Sequence, residues 1–300
     1  MIRRAVIHVA ALLCAAMPLA GQVRGVYPLG MSAVGAGSLF GAGVSYVNAF
    51  LFYARDELRG AQGQLVSTGK QTVLMDLNTI AWASRKPVLF GARIAAAATL
   101  PIANNSLASD LLGPQSGGGG FADSYFQPLM LGWQLSRADI KAVYGFLAPT
   151  GAFEAGRTDN VGSGYWTHVV SSGQTGWLTA SRRFALSAFE IYEFHGTQKG
   201  TGVRPGQTLS VDYSLTGFAP LARDLQLQAG LAGYSQWQTS ASTGPGVDAS
   251  TRYQVHALGL SAGLVLPGRR LQLGTRYMHE FEARSTFQGY SVQVSASVNF

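Results

Sequence analysis

Histidine is the usual activator of a catalytic hydroxyl, and after its N-terminal segment this chain has four: His168, His195, His256 and His279. A histidine and a serine two residues apart on a strand project from one face, where the imidazole can take the hydroxyl proton. The residues two places on are Val170, Thr197, Leu258 and Phe281. Only Thr197 has a hydroxyl, and HGTQKGTGVRPG (195–206) reads as a loop, so no catalytic residue is assigned. A triad gathered from separate strands leaves hydrolysis as a third functional reading. One cysteine, Cys14, and scattered histidines give no zinc pattern, so no metal or cofactor is expected. GGGG (117–120) lacks a following Lys-Ser/Thr and reads as a flexible loop. GAGSLFG, within the Gly-rich stretch 30–43, has no strand before it and no helix after it.

Ionisable residues are more suggestive. In YMHEFEAR (277–284), Glu280 and Glu282 share strand parity with Arg276, while His279 lies on the opposite face. With Asp76, Arg93, Lys141 and Asp212 they are candidates for the lining of a lumen. One reading makes Glu280 and Glu282 a charged constriction or ligand contact. The other, favoured because narrow barrels fill with side chains, makes them part of an ion-pair network with Arg93, Lys141 or Asp212.

Strands must position these residues. In the C-terminal GYSVQVSASVNF, Tyr290, Val292, Val294, Ala296, Val298 and Phe300 form one face, and Ser291, Gln293, Ser295, Ser297 and Asn299 the other. Comparable alternation and turn signals mark twelve strands, at 43–54, 72–84, 88–100, 124–135, 139–148, 164–178, 182–194, 207–218, 224–237, 252–265, 270–282 and 287–300. Most exceed the roughly 5–6 residues of soluble strands and reach the ~9–11 that a tilted transmembrane strand needs. RKP, SRA, ASR, APLAR and LPGR are short connections that alternate with long ones such as 149–164, 195–206 and 238–250. Sorting of this kind is the mark of an outer-membrane barrel. The expected fold is therefore all-β: a single antiparallel up-and-down transmembrane barrel of about 12 strands, with short periplasmic turns and long external loops. Tyr27, Trp133, Tyr144, Phe146, Phe184, Trp237, Tyr277, Phe281 and Phe300 are candidates for its aromatic girdles. Two strands resist orientation. AAAATLPI (95–102) has no clear parity; in 182–194, Phe184 and Leu186 oppose Phe189 and Ile191, which suggests a bulge.

Hydrophobic residues make up 47% of the chain and charged residues only 12%, about half the usual ~25%. Arg3 and Arg4, the apolar run to Met17 and PLAGQ read as a cleaved signal peptide over 1–21. Residues 22–42 form a Gly-rich segment in or under the lumen, and 43–300 the barrel. Loss of Arg3 and Arg4 takes the net charge from +7 to +5, and no basic cluster points to nucleic acid.

DSYFQPLMLGWQL (123–135), FLAPTGAFEAGRTDNVGSGYWT (146–167), QTLSVDYSLTGFAPLARDLQLQAGLAGYSQWQT (207–239) and YMHEFEARSTFQGYSVQVSASVNF (277–300) resemble the meta-pathway phenol-degradation family. The likeness covers most of the chain after the leader, in the same order. It implies a Gram-negative outer-membrane β-barrel, found beside aromatic-compound catabolism, that passes small hydrophobic or aromatic molecules by passive diffusion. It brings no catalytic residues. A structural or adhesive barrel with a closed lumen is the second reading. The partners implied are outer-membrane lipid, a small-molecule solute and the barrel assembly machinery. That machinery would read a terminal strand ending in phenylalanine, so Tyr290, Val298 and Phe300 are its assembly-signal residues.

Overall fold

The structure, a computed structural model, describes residues 25–109, 113–157 and 159–300; the expected leader and Cys14 lie outside them. Thirteen strands follow one another: β1 (Gly43–Arg59), β2 (Leu65–Ala83), β3 (Arg93–Ser109), β4 (Gly113–Phe121), β5 (Ser124–Gln134), β6 (Ala138–Ala148), β7 (Thr167–Trp177), β8 (Phe184–His195), β9 (Thr208–Ala222), β10 (Leu225–Gln238), β11 (Gln254–Leu266), β12 (Leu271–Arg284) and β13 (Thr286–Asn299). Each pairs antiparallel with its neighbours, and β1 pairs with β13 from Ser45–Asn299 to Arg59–Thr286. The strand β4 is a side hairpin on β3, which pairs with β5 through its first half. Without it, twelve strands close into a barrel, in agreement with the alternation of the sequence.

Closure satisfies backbone groups that lipid cannot. The pleat then sends alternate side chains outward and inward. Outward stand Val44 and Phe50 on β1, Leu186 on β8, Leu215 on β9, Leu231 on β10, Leu260 on β11 and Val294 on β13, all exposed. On soluble proteins large apolar side chains on every strand would be a liability; on a closed barrel they are the lipid-facing band. Outward aromatic contacts, such as Tyr144–His168 and Phe146–Trp166, lie toward the external strand ends.

Several expectations change. The strands β1 and β2 extend for 17 and 19 residues, so the connection between them narrows to residues 60–64. GGGG is not a free loop: Gly119 and Gly120 pair with Asn104 and Ala103 in β4. Side chains are excluded there because a Cβ at Gly117 or Gly118 would strike Asn105 or the Asp159 backbone. No bulge interrupts β8, whose pairing with β7 and β9 runs without a shift. Phe184 and Leu186 face out, and Phe189 and Ile191 face in and are buried. The strand β3 pairs with β2 without a shift; the irregularity beside it lies in β5, which carries one extra residue against Ala95–Ala97 of β3 and Tyr144–Phe146 of β6, around Pro128, which has no ladder donor.

The seam between β1 and β13 ends where the chain does. The Phe300 amide donates to Val44 O at 2.8 Å, and Asn299 Nδ2 reaches Ala42 O, Val44 O and Ser45 Oγ. Phe300 itself is exposed on the outer face. Deleting Phe300 removes the last rung of the seam and its lipid-facing ring. The expected outcome is a several-fold fall in outer-membrane protein with heat-modifiable migration; unchanged levels of the truncated protein would contradict this role.

Candidate functional site: a lumenal chamber

Residues 25–42 pass through the interior of the barrel, where they contact inward-facing side chains from most of the wall. Their backbone has little regular structure, so its N–H groups need other acceptors. Glu193 Oε1 takes the amides of Val26 and Tyr27, both at 3.0 Å. Asp212 takes the amides of Gly30 at 2.9 Å and Ser32 at 3.0 Å, and the Tyr27 hydroxyl at 2.8 Å. The wall also donates. Arg276 Nη1 reaches Met31 O, Gln293 Nε2 reaches Leu29 O, and Ser214 Oγ reaches Ala33 O. Further along, Gly37 N donates to Thr175 Oγ1, Ser38 Oγ to Asp139, and Arg93 Nη2 to Phe40 O. Close approach is required here: a Cβ at Gly37 would collide with Asp139 O, and one at the wall position Gly173 with Ala36 O.

The other side of this segment is apolar. Val26, Tyr27, Pro28, Met31 and Phe40 close a chamber of about 210 Å³ against the wall. From the wall come Val47 and Ala49 of β1, Met75 and Leu77 of β2, Pro101 of β3, Tyr125 of β5, Leu147 of β6, Val169 of β7, and Phe189 and Ile191 of β8. Polar groups are few and partly spent on one another; Thr79 and Thr99 share a hydrogen bond of 2.7 Å. Leu39 and Phe40 pack on Ala81, Ala95 and Met130 at the periplasmic floor. Toward the external end of β1, a second cavity of about 110 Å³ lies among Leu51, Tyr53, Arg55 and Val73. The two cavities share Val26, Tyr27, Pro28 and Met75, which form the septum between them.

The ionisable residues singled out in the sequence do not form one constellation. Asp212 and Arg276 face the lumen and hold residues 27–32. Glu280 also points inward and accepts from Tyr53 Oη, Tyr234 Oη and the Gly289 amide. An extra residue, Phe281, stands between the pairs Ala257–Glu280 and His256–Glu282. That bulge turns Glu282 to the rim, where it meets Arg284 at 3.0 Å. Lys141 lies inside, its ammonium 4.8 Å from the centre of the Phe189 ring, and Arg93 sits at the periplasmic end on Ser84 O and Phe40 O. Asp76 belongs to the outward face of β2 and not to the lumen. Tyr27 is not a girdle residue either; its hydroxyl is held inside by Asp212. The ion pairs Arg59–Glu57, Arg157–Glu154, Arg157–Asp159 and Arg284–Glu282 lie near the external end, whereas Glu193 and Asp212 in the lumen accept from backbone amides and hydroxyl groups. The signal for Glu193, Phe189 and Ile191 was the parity conflict in 182–194. His195 meets a hydroxyl across strands, Thr167 Oγ1 at 3.0 Å, but neither residue lines the chamber or the outer cavity.

The solved structures similar to this chain are membrane barrels. The COG4313 outer membrane channel from Pseudomonas putida F1 aligns with a TM-score of 0.70 at 15% identity, over 92% of this chain and 100% of that one. The β domain of the Bordetella autotransporter Brka aligns with a TM-score of 0.51 at 13% identity, over 87% of this chain and 100% of that one. Both likenesses are of fold, and the fold is that of an outer-membrane β-barrel. No curated protein matches the chain. A family described as "Putative MetA-pathway of phenol degradation" matches residues 55–296, which include all the strands of the barrel in whole or in part, and to that family this chain belongs.

Proposed function

We propose that the chain is an outer-membrane channel that passes small hydrophobic or aromatic molecules by passive diffusion, with residues 25–42 as its plug. The observation that carries this reading is the chamber. Water-filled porins have polar interiors, whereas here the wall from β1 to β8 turns apolar side chains inward to a cavity the size of a small solute. Ligand sites have this make-up, apolar with few polar groups. Solute would enter past the external loops, occupy the outer cavity, pass the septum of Val26–Pro28 and Met75, and leave past Phe40. The family's association with phenol degradation and the channel title of the Pseudomonas structure support an aromatic solute. Cleavage of residues 1–21, assembly by the barrel assembly machinery and the absence of catalysis belong to the same reading. The number of anchors on residues 25–42 favours a second one, a structural barrel whose lumen stays shut.

Transport decides between the two. In planar bilayers the purified protein should give small single-channel steps, and cells lacking it should take up a monoaromatic probe such as phenol more slowly. Met75→Trp, which fills the septum, should slow that uptake several-fold while the barrel keeps its heat-modifiable migration. No steps and no uptake defect would leave the closed barrel standing.

The plug makes its own prediction. Asp212→Leu leaves the Gly30 amide and the Tyr27 hydroxyl without an acceptor, each costing about 1–3 kcal/mol, while the Ser32 amide keeps the Tyr27 hydroxyl oxygen. A cysteine placed by Met31→Cys should then react with a water-soluble maleimide much faster than in the Asp212 parent, with larger conductance. Equal labelling would mean that Asp212 does not hold the segment.

A further inference from the structure

Two carboxyl groups stand on the wrong side of the wall for a channel lining. Asp76 shares the outer face of β2 with Leu74, Ile80 and Trp82, all exposed. Asn48, on the outer face of β1, donates through Nδ2 to Asp76 Oδ1 at 2.5 Å and to Asn78 Oδ1 at 3.3 Å. The Tyr46 hydroxyl also donates to Asn78 Oδ1, at 2.6 Å. Across the barrel, Glu190 on the outer face of β8 accepts from Ser172 Oγ at 2.7 Å and Gln174 Nε2 at 3.0 Å.

Both clusters lie at one depth. Asp76 is six residues from Trp82 and Glu190 six from Phe184 (82 − 76 and 190 − 184), each counted from an exposed aromatic near the periplasmic end. With a rise of about 3.3 Å per residue and a tilt near 45°, six residues climb roughly 14 Å. The apolar band of such barrels is about 25 Å tall, so the clusters face hydrocarbon near its middle. Ionisable groups at that depth are costly and normally meet protein, and polar side chains join membrane proteins to one another.

What each cluster leaves unused distinguishes them. Among the described residues, Asp76 Oδ2 and Asn78 Nδ2 have no hydrogen-bond partner, so an acceptor and a donor stand side by side. Glu190 Oε1 and Gln174 Oε1 are left in the other cluster, both acceptors, since both Gln174 Nε2 hydrogens are used. A two-fold axis along the membrane normal preserves depth and presents a patch to itself. Only the first patch is complementary under that operation. Val44, Phe50 and Trp82 flank it with apolar surface.

We propose that the outer face of β1 and β2 is where a second copy of this chain docks, with Asp76 of each copy accepting from Asn78 of the other. The proposal does not depend on what the lumen carries.

Disulfide trapping in native membranes tests it, in a background with Cys14→Ser so that no other cysteine is present. Phe50 pairs in register with Asp76, and Leu186 is exposed on the far wall. Oxidised Phe50→Cys protein should run at twice the monomer mass, and Leu186→Cys protein should not. Adding Asn78→Leu to Phe50→Cys should cut the doubled band several-fold, whereas Glu190→Gln should leave it unchanged. Heat-modifiable migration identifies the variants that have folded; should Asn78→Leu fail to fold, the Phe50 and Leu186 comparison alone decides. Equal trapping at both positions, trapping indifferent to Asn78→Leu, or a Phe50 adduct with a protein of another mass would each overturn the proposal.

Discussion

A peptide group in hydrocarbon has no water to bond, and the sheet must therefore meet itself. The rest of the structure depends on the seam where β1 and β13 join. Their register fixes which residues face lipid. Ser45 opposite Asn299 puts Ser45, Val47 and Ala49 inside and Tyr46, Asn48 and Phe50 outside. A slip of β1 by one residue would exchange those sets along the strand, placing Tyr46 and Phe50 in the lumen and Ser45 and Val47 in lipid. The capping contacts of Asn299 with the backbone before β1 oppose such a slip where the ladder begins.

The closed wall encloses two different surfaces. From β8 to β13 it turns inward Glu193, Ser210, Asp212, Ser214, Gln236, Arg276 and Gln293, most of them buried. From β1 to β8 it turns inward alanine, valine, leucine, methionine, phenylalanine and isoleucine. Residues 25–42 lie between the two and are made for both. Over residues 26–33 the backbone groups go to the polar half, at Glu193, Asp212, Ser214, Arg276 and Gln293, while Val26, Met31 and Phe40 turn toward the chamber in the apolar half. Neither surface would be stable facing only the other, because an apolar wall gives carboxylates no donors.

This division also explains what could be read from the sequence. In β9, β10, β12 and β13 the lumenal face is polar, so alternation is clean and each strand could be found and oriented. In β8 and β3 both faces are apolar for part of their length, and a period of two cannot be seen when both phases look alike. The parity conflict of Phe189 and Ile191 with Leu186 was therefore not a bulge but the chamber itself. Asp76 misled for the converse reason: a carboxylate is assigned to the lumen by default, and its Asn48 partner comes from another strand. Glu282 shared parity with Arg276 until the bulge at Phe281, which no composition signal marks. The backbone acceptors for residues 25–42 were illegible as well, since the segment has no periodicity to follow.

The placement of the anchors bears on how such a lumen could open. Only Val26–Pro28, with Met75, separates the two cavities. That stretch is held by one carboxylate oxygen of Glu193 through two amides and by Asp212 through the Tyr27 hydroxyl, with Gly25 held by the Tyr253 hydroxyl. Residues 29–42 have many further anchors, at Asp212, Arg276, Gln293, Ser214, Thr175 and Arg93. Joining the cavities thus requires release of a few hydrogen bonds at about 1.5–3 kcal/mol each, as bonds to charged groups, and not withdrawal of the whole segment. Fluctuations of that size are local openings well below global unfolding. A plug fixed at many points and hinged at one end can admit a solute while the apolar floor of the chamber, around Phe40, stays in place.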